Sequence, residues 1–178
     1  MTDWGVHEID IALYGMKAKN PVSVMASGGK FGYPDQDTDT PDTLQTVFEY
    51  DDFTMLWEHA NGIDGGNYGR DEGIAFIGNK ATLVVNRGGW EVISEIDHRR
   101  TKKPFMESIP KIDATENALD SHTKNFLEAM KNNSPGSLKC DLNSGSIACI
   151  NSHMGNIAYK TGEKIYWDRK NQTFIDNP

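Results

Sequence analysis

Three short turn signals, Asp51-Asp52, Gly78-Asn79 and Gly88-Gly89, each sit between segments rich in β-branched and aromatic residues. They constrain the fold more than any other feature, because they leave no room for a crossover between strands. Leu44–Tyr50 and Phe53–His59 read as one hairpin, and Gly73–Ile77 with Ala81–Val85 as a second. Trp90–Ile96 continues that meander, and Pro21–Ala26 alternates in the period of a strand. Parallel pairing needs a connection of a dozen or more residues, usually helical, so successive strands this close imply an antiparallel sheet. Helical periodicity is confined to three other stretches. The first runs from Asp3 to about Tyr14. The second runs from Glu116 to about Asn132, with Leu119, Phe126, Leu127 and Met130 on one stripe. The third follows a cap at Asp141 or Asn143 and spaces Ile147, Ile150, Met154, Ile157 and Ala158 for burial before Gly162. The tail from Lys164 to Phe174 reads as a strand with an irregular end. The expected fold is α+β: an open, predominantly antiparallel sheet of roughly five to seven strands with the helices on one face.

At 178 residues the chain is expected to form a single domain with a sizeable core. Its net charge of −8 argues against a nucleic-acid footprint, and its one basic cluster, His98-Arg99-Arg100-Thr101-Lys102-Lys103, reads as a solvated loop. No apolar run approaches the roughly 18 residues that a membrane helix needs. Cys140 and Cys149 could pair, but two cysteines make no disulfide framework and match no zinc spacing, so the redox compartment stays open.

The residues that carry chemistry lie at the start of the chain. In a helix beginning near Asp3, the side chains of Asp3, His7, Asp10 and Tyr14 share one narrow stripe, while Val6, Ile9, Leu13 and Met16 recur at the spacing of a buried face. A carboxylate and an imidazole four residues apart can touch, and the carboxylate then orients the ring and raises its pKa, which is what a general acid/base requires. The same pair also fits a bare helix cap followed by a solvated histidine. The glycine-rich stretch Asn61–Gly69 does not follow the strand, G-x-G-x-x-G, helix order of a pyrophosphate site and reads as a loop, as does Ser27–Pro41, a possible rim of the site. His122 and His153 fall on core-facing helices and read as packing residues. His59 and His98 read as peripheral, and His7 with Asp10 is not a metal-binding pair, so no metal is expected.

The string Asp-x-Gly-x-His-x-x-Asp over Asp3–Asp10, followed by an apolar helix ending near Gly15, resembles the first core helix of the second domain in the glucose-fructose oxidoreductase and inositol dehydrogenase (Gfo/Idh/MocA) family. Phe76-Ile77-Gly78-Asn79-Lys80-Ala81-Thr82-Leu83 is similar to a family hairpin whose second glycine is here Ala81. His122 with Asn125-Phe126-Leu127, and Gly155-Asn156-Ile157-Ala158-Tyr159, resemble its closing helices. The resemblance implies a glyceraldehyde-3-phosphate dehydrogenase-like C-terminal domain. It implies catalytic roles for His7 and Asp3, with Asp10 and Trp4 as substrate contacts. It also implies an NAD- or NADP-dependent reaction on a sugar or polyol hydroxyl. On that reading an N-terminal Rossmann domain is missing from this chain, which alone binds no dinucleotide and is inactive. An open sheet face would associate into a homodimer or larger oligomer. A stand-alone binding or assembly module, or an NAD-dependent glycoside hydrolase, remains an alternative.

Overall fold

The computed structural model describes residues 1–176. In chain order the elements are α1 (Trp4–Met16), β1 (Ser23–Gly29), β2 (Thr43–Glu49), β3 (Thr54–Ala60), β4 (Ile74–Ile77), β5 (Ala81–Asn86), β6 (Gly89–Ser94), β7 (Ile109–Asp113), α2 (Ala118–Lys131), α3 (Leu142–Thr161), β8 (Ile165–Asp168) and β9 (Thr173–Ile175). Every strand pairing is antiparallel and the class is α+β, as the hairpin pattern implies. Among the described residues the strands number nine rather than five to seven and divide between two sheets, ordered β3-β2-β1-β8-β9 and β4-β5-β6-β7. The two strands that periodicity missed, β7 and β9, are short, and each finds its pairing through a partner strand rather than through its own pattern.

The chain forms two compact units: Met1–Asp64 together with the chain from Leu142 onward, and Gly65–Asp141. In the first, α1 and α3 pack together and α3 lies on β1 and β2. Alternation along the strands supplies the face beneath them. Leu44, Thr46 and Phe48 of β2 point inward while Gln45 and Glu49 point out. Ile9 and Leu13 from α1 and Met154 and Ala158 from α3 close over Val24, Phe48, Tyr50 and Trp167. Burying an aliphatic or aromatic side chain of this kind contributes roughly 1.5–3 kcal/mol. The expected apolar stripe of α1 is therefore real at Ile9 and Leu13. It ends before Met16, which is exposed because the helix turns away at Lys17, a left-handed cap with φ 53°. At the far end of α3, Gly162 takes the expected closing position with φ 71°.

In the second unit β4 to β7 form a meander whose inward side chains include Thr82 and Val84. Gly89 opens β6 at φ 137°, where a Cβ would fall 2.1 Å from the Ile112 carbonyl oxygen, so no other residue fits. Helix α2 starts at its cap Asn117, whose side chain accepts from the Leu119 amide. Its expected buried stripe is corrected. Leu119, Phe126, Leu127 and Met130 are exposed and Ala129 is the helix's buried residue, because a period of 3.6 reports an apolar face and not what covers it. Asn125 instead anchors the segment after the helix, donating to the Ser137 carbonyl at 2.9 Å and accepting from the Lys139 amide at 3.0 Å. His122 and His153 are exposed on the outer sides of α2 and α3, which removes them from the core. Cys140 and Cys149 are free thiols.

Candidate active site

Asp3 occupies the N-cap position of α1 and makes no capping hydrogen bond with its side chain, so its carboxylate is not consumed by the helix end. It acts electrostatically on the Met1 amino group. His7 lies one turn further along, exposed like Asp3, and no hydrogen bond or ion pair among the described residues joins the two. Asp10 is half-buried and Trp4 half-exposed, and each engages a neighbour. The four predicted residues thus share the N-terminal part of one helix, and the structure does not lock Asp3 onto His7. An acid/base pair can be looser without substrate than with it.

The glycine of the motif has a packing reason. Gly5 is buried, and a Cβ there would lie 3.2 Å from Cζ2 of Trp57 and 3.1 Å from Cγ of Met1. A side chain there would need Trp57 and Met1 to give way by a few tenths of an ångström, and the bare glycine lets the first turn of α1 settle onto the sheet without that shift. Trp57 in turn donates from Nε1 to Nδ1 of His59 at 3.0 Å, and Nε2 of His59 faces the Pro41 carbonyl at 3.3 Å. An indole N–H can only donate, so Nδ1 must be the accepting nitrogen and the ring proton sits on Nε2, where it donates to Pro41. Burial is the main cause that lowers the pKa of His59. The Pro41 bond opposes it, the Met1 amino group adds to it, and Asp42 opposes it.

Asp42 is buried at the same end of the sheet and accepts from the backbone amides of Phe31 (3.0 Å), Gly32 (3.0 Å) and Tyr33 (2.7 Å) and from the Thr43 hydroxyl (2.8 Å). Burial alone would raise its pKa. The Tyr33 and Phe31 amides, the Thr43 hydroxyl and the Gly32 amide outweigh that and hold it at about 2. His59 and Asp42 escaped the sequence reading, which treated His59 as peripheral. The alternation of β3 does put Met55, Trp57 and His59 on one side, but the contacts to Pro41 and to the 31–33 amides join residues that no periodicity links.

A cleft of about 350 Å³ lies at the other end of α1, lined by Lys17, Asn20, Tyr50, Asp52 and Arg169 among others. Several of its polar groups already have partners. Arg169 pairs with Asp51 at 2.6 Å, Asn20 donates to Gln172 at 2.9 Å, and the Tyr50 hydroxyl donates to Asn151 at 2.9 Å. The chemistry-bearing residues therefore place the candidate site at the N-terminal turn instead. Among the described residues no group of three or more His, Cys, Asp or Glu side chains could hold a metal ion, and no helix is long and apolar enough to cross a membrane.

No protein-family model matches the sequence, and no curated protein matches it. Solved structures do match the fold. UDP-N-acetylglucosamine 3-dehydrogenase GnnA from Acidithiobacillus ferrooxidans superposes with a TM-score of 0.64 at 16% identity, covering 88% of this chain and 47% of that one. A levoglucosan dehydrogenase in complex with NADH and levoglucosan gives a TM-score of 0.57 at 17% identity, with 92% of this chain and 49% of that one covered. The WlbA dehydrogenase from Bordetella pertussis, in complex with NADH and UDP-GlcNAcA, gives 0.54 at 11%, with 92% and 43% covered. The chain spans about half the length of the structures it matches. Its fold is shared with about half of each of these dehydrogenase chains, the kind of fold that the Asp-x-Gly-x-His resemblance implies.

Proposed function

We propose that this chain is the substrate-binding and catalytic half of an NAD(P)-dependent oxidoreductase acting on a sugar or polyol hydroxyl, working with a nucleotide-binding domain outside these 178 residues. The observation that carries the reading is the exposed pair Asp3 and His7 on the first turns of α1, in a fold shared with dehydrogenases of sugars. Both sheets pair antiparallel, and a pyrophosphate site of the strand-turn-helix kind needs parallel strands, so this reading gives no residue of the chain a nucleotide-holding role. A bound nicotinamide supplies the hydride acceptor for the carbinol carbon. His7 takes the hydroxyl proton as that bond is oxidised. Asp3, at the positive end of the helix, orients the ring and stabilises its charged form, and Trp4 and Asp10 contact the substrate.

Association through the open face of the first sheet belongs to the same proposal. Met25, Val47 and Leu56 form one cross-strand row on the side away from α1 and α3, with Leu56 59% exposed. Apolar rows of this kind are commonly covered by a second copy. The test is oxidation of a panel of sugars and polyols by the chain joined to its nucleotide-binding domain, with NAD or NADP, followed by formation of the reduced nicotinamide. Reduction with at least one sugar is expected. No reduction with any would overturn the enzyme reading and favour a binding module.

A further inference from the structure

Trp57 lies on β3, the end strand of its sheet among the described residues, so no further strand walls in its indole. A hydrogen bond fixes the ring instead. Nε1 donates at 3.0 Å to Nδ1 of His59, two residues on along the same face, and the two rings stand 5.9 Å apart at a tilt of 54°. His59 is set in turn by the Pro41 carbonyl, 3.3 Å from Nε2. The edge of the indole that carries the bonded N–H is also the edge under α1. A Cβ on Gly5 would lie 3.2 Å from Cζ2 and 3.4 Å from Cε2, the carbon next to Nε1. Asp3 and His7 stand two residues to either side of that glycine. An indole deprived of its acceptor turns until its N–H meets water, because an unpaired donor in a part-buried place is costly. Turning the ring moves the plate on which Gly5 rests.

We infer that His59 is a positioning residue: by holding the Trp57 indole in one orientation it seats Gly5, and with it the first turn of α1 that carries Asp3 and His7. That this turn carries an acid/base rests on the oxidoreductase reading; the seating of the turn does not. The hold requires the neutral ring, because Nδ1 accepts the indole proton and a protonated imidazole has no lone pair to offer. The charged groups that act on the ring are the Met1 amino group and the Asp42 carboxylate, and its cross-strand neighbour on β2, Leu44, is apolar. With its pKa lowered, chiefly by burial, the ring stays neutral above the ordinary histidine value of about 6.5 and is protonated only as the pH falls below it. The seat therefore loosens on the acid side.

The experiment is backbone amide exchange at Glu8 and Ile9, whose helical partners are the carbonyls of Trp4 and Gly5, with the Leu13 amide further along α1 as the reference. It compares the wild type with His59→Ala and His59→Asn over a series of pH values, each rate corrected for the intrinsic pH dependence of exchange. His59→Ala is expected to lower protection of Glu8 and Ile9 relative to Leu13 by roughly tenfold, the scale of one lost hydrogen bond. His59→Asn is expected to restore it, because its carboxamide oxygen stands about where Nδ1 does and accepts from Trp57 without titrating. Wild-type protection falls as the pH is lowered through the ring's titration, and the Asn variant's does not. Where His59→Ala fails to fold, the comparison of wild type with His59→Asn decides. In the chain joined to its nucleotide-binding domain, and for a sugar that it oxidises, His59→Ala lowers kcat by roughly tenfold with little change in KM, and His59→Asn recovers it. Unchanged exchange in His59→Ala, an Asn variant that behaves like the Ala one, or a pH dependence that survives in His59→Asn overturns the inference. Lost protection in a protein that oxidises no sugar, or that keeps its kcat, supports the seat and counts against the catalytic reading of Asp3 and His7 instead.

Discussion

The indole of Trp57 lies against the backbone of Gly5, so close that a Cβ on residue 5 would stand 3.2 Å from the ring. The motif's glycine is thus a packing residue that sets where its neighbours Asp3 and His7 project. Met1 fills the other side of the same notch, against Gly5 and against Gly155 of α3.

Gly5→Val is therefore expected to lift the first turn of α1 off the sheet. Overpacking a tight contact of this kind costs about 1–3 kcal/mol, and a branched side chain cannot yield as a flexible one would. Thermal melting of the variant beside the wild type measures it. A melting point at or above that of the wild type would mean that Trp57 and Met1 move aside freely.

The buried polar knot behind α3 offers a second expectation. The Tyr50 hydroxyl donates to Asn151 Oδ1 at 2.9 Å, while Asn151 donates to the Ile147 carbonyl at 2.9 Å and to Asn20 Oδ1 at 3.1 Å. Burial pushes the Tyr50 pKa up, so the hydroxyl keeps its proton through any ordinary pH. Tyr50→Phe leaves an acceptor unsatisfied in the core and should lower stability by about 1–3 kcal/mol, read as a shift in the denaturant midpoint at unchanged slope.

Asp42 gives the chain an acid-sensitive point. Its pKa is held at about 2 in the folded protein against an ordinary 3.8, so the unfolded chain takes the proton first. The stabilisation is fully present above about pH 4 and is lost as the pH falls toward 2. Asp42→Asn should lower the melting point at neutral pH and flatten its decline over that acid range. A decline as steep as in the wild type would assign the acid sensitivity to other carboxylates.

Much of this fold was legible in the sequence because its signals are local. The turns at Asp51-Asp52 and Gly78-Asn79 do join paired strands, and Ile9 and Leu13 do face the core. What was not legible depends on partners distant in sequence. The stripe on α2 gave the right helix and the wrong burial, since Leu119 and Met130 have the period of a core face without its cover. β7 carries little pattern of its own and is recruited by β6. At the candidate site the exposed stripe of Asp3 and His7 could be read from helix geometry. The chain of contacts from Trp57 through His59 to Pro41 could not, because a histidine in a strand gives no sign of which carbonyl it will reach.

The proposed role of His7 in moving the substrate's hydroxyl proton is tested most directly by turnover per folded molecule for His7→Ala in the chain joined to its nucleotide-binding domain. Turnover should fall by roughly 10²–10⁴-fold, the usual contribution of a placed acid/base, with little change in nucleotide affinity. Asp3→Asn should cost less and shift the pH profile. A His7→Ala protein that melts earlier yet turns over sugar at the wild-type rate would contradict the assignment.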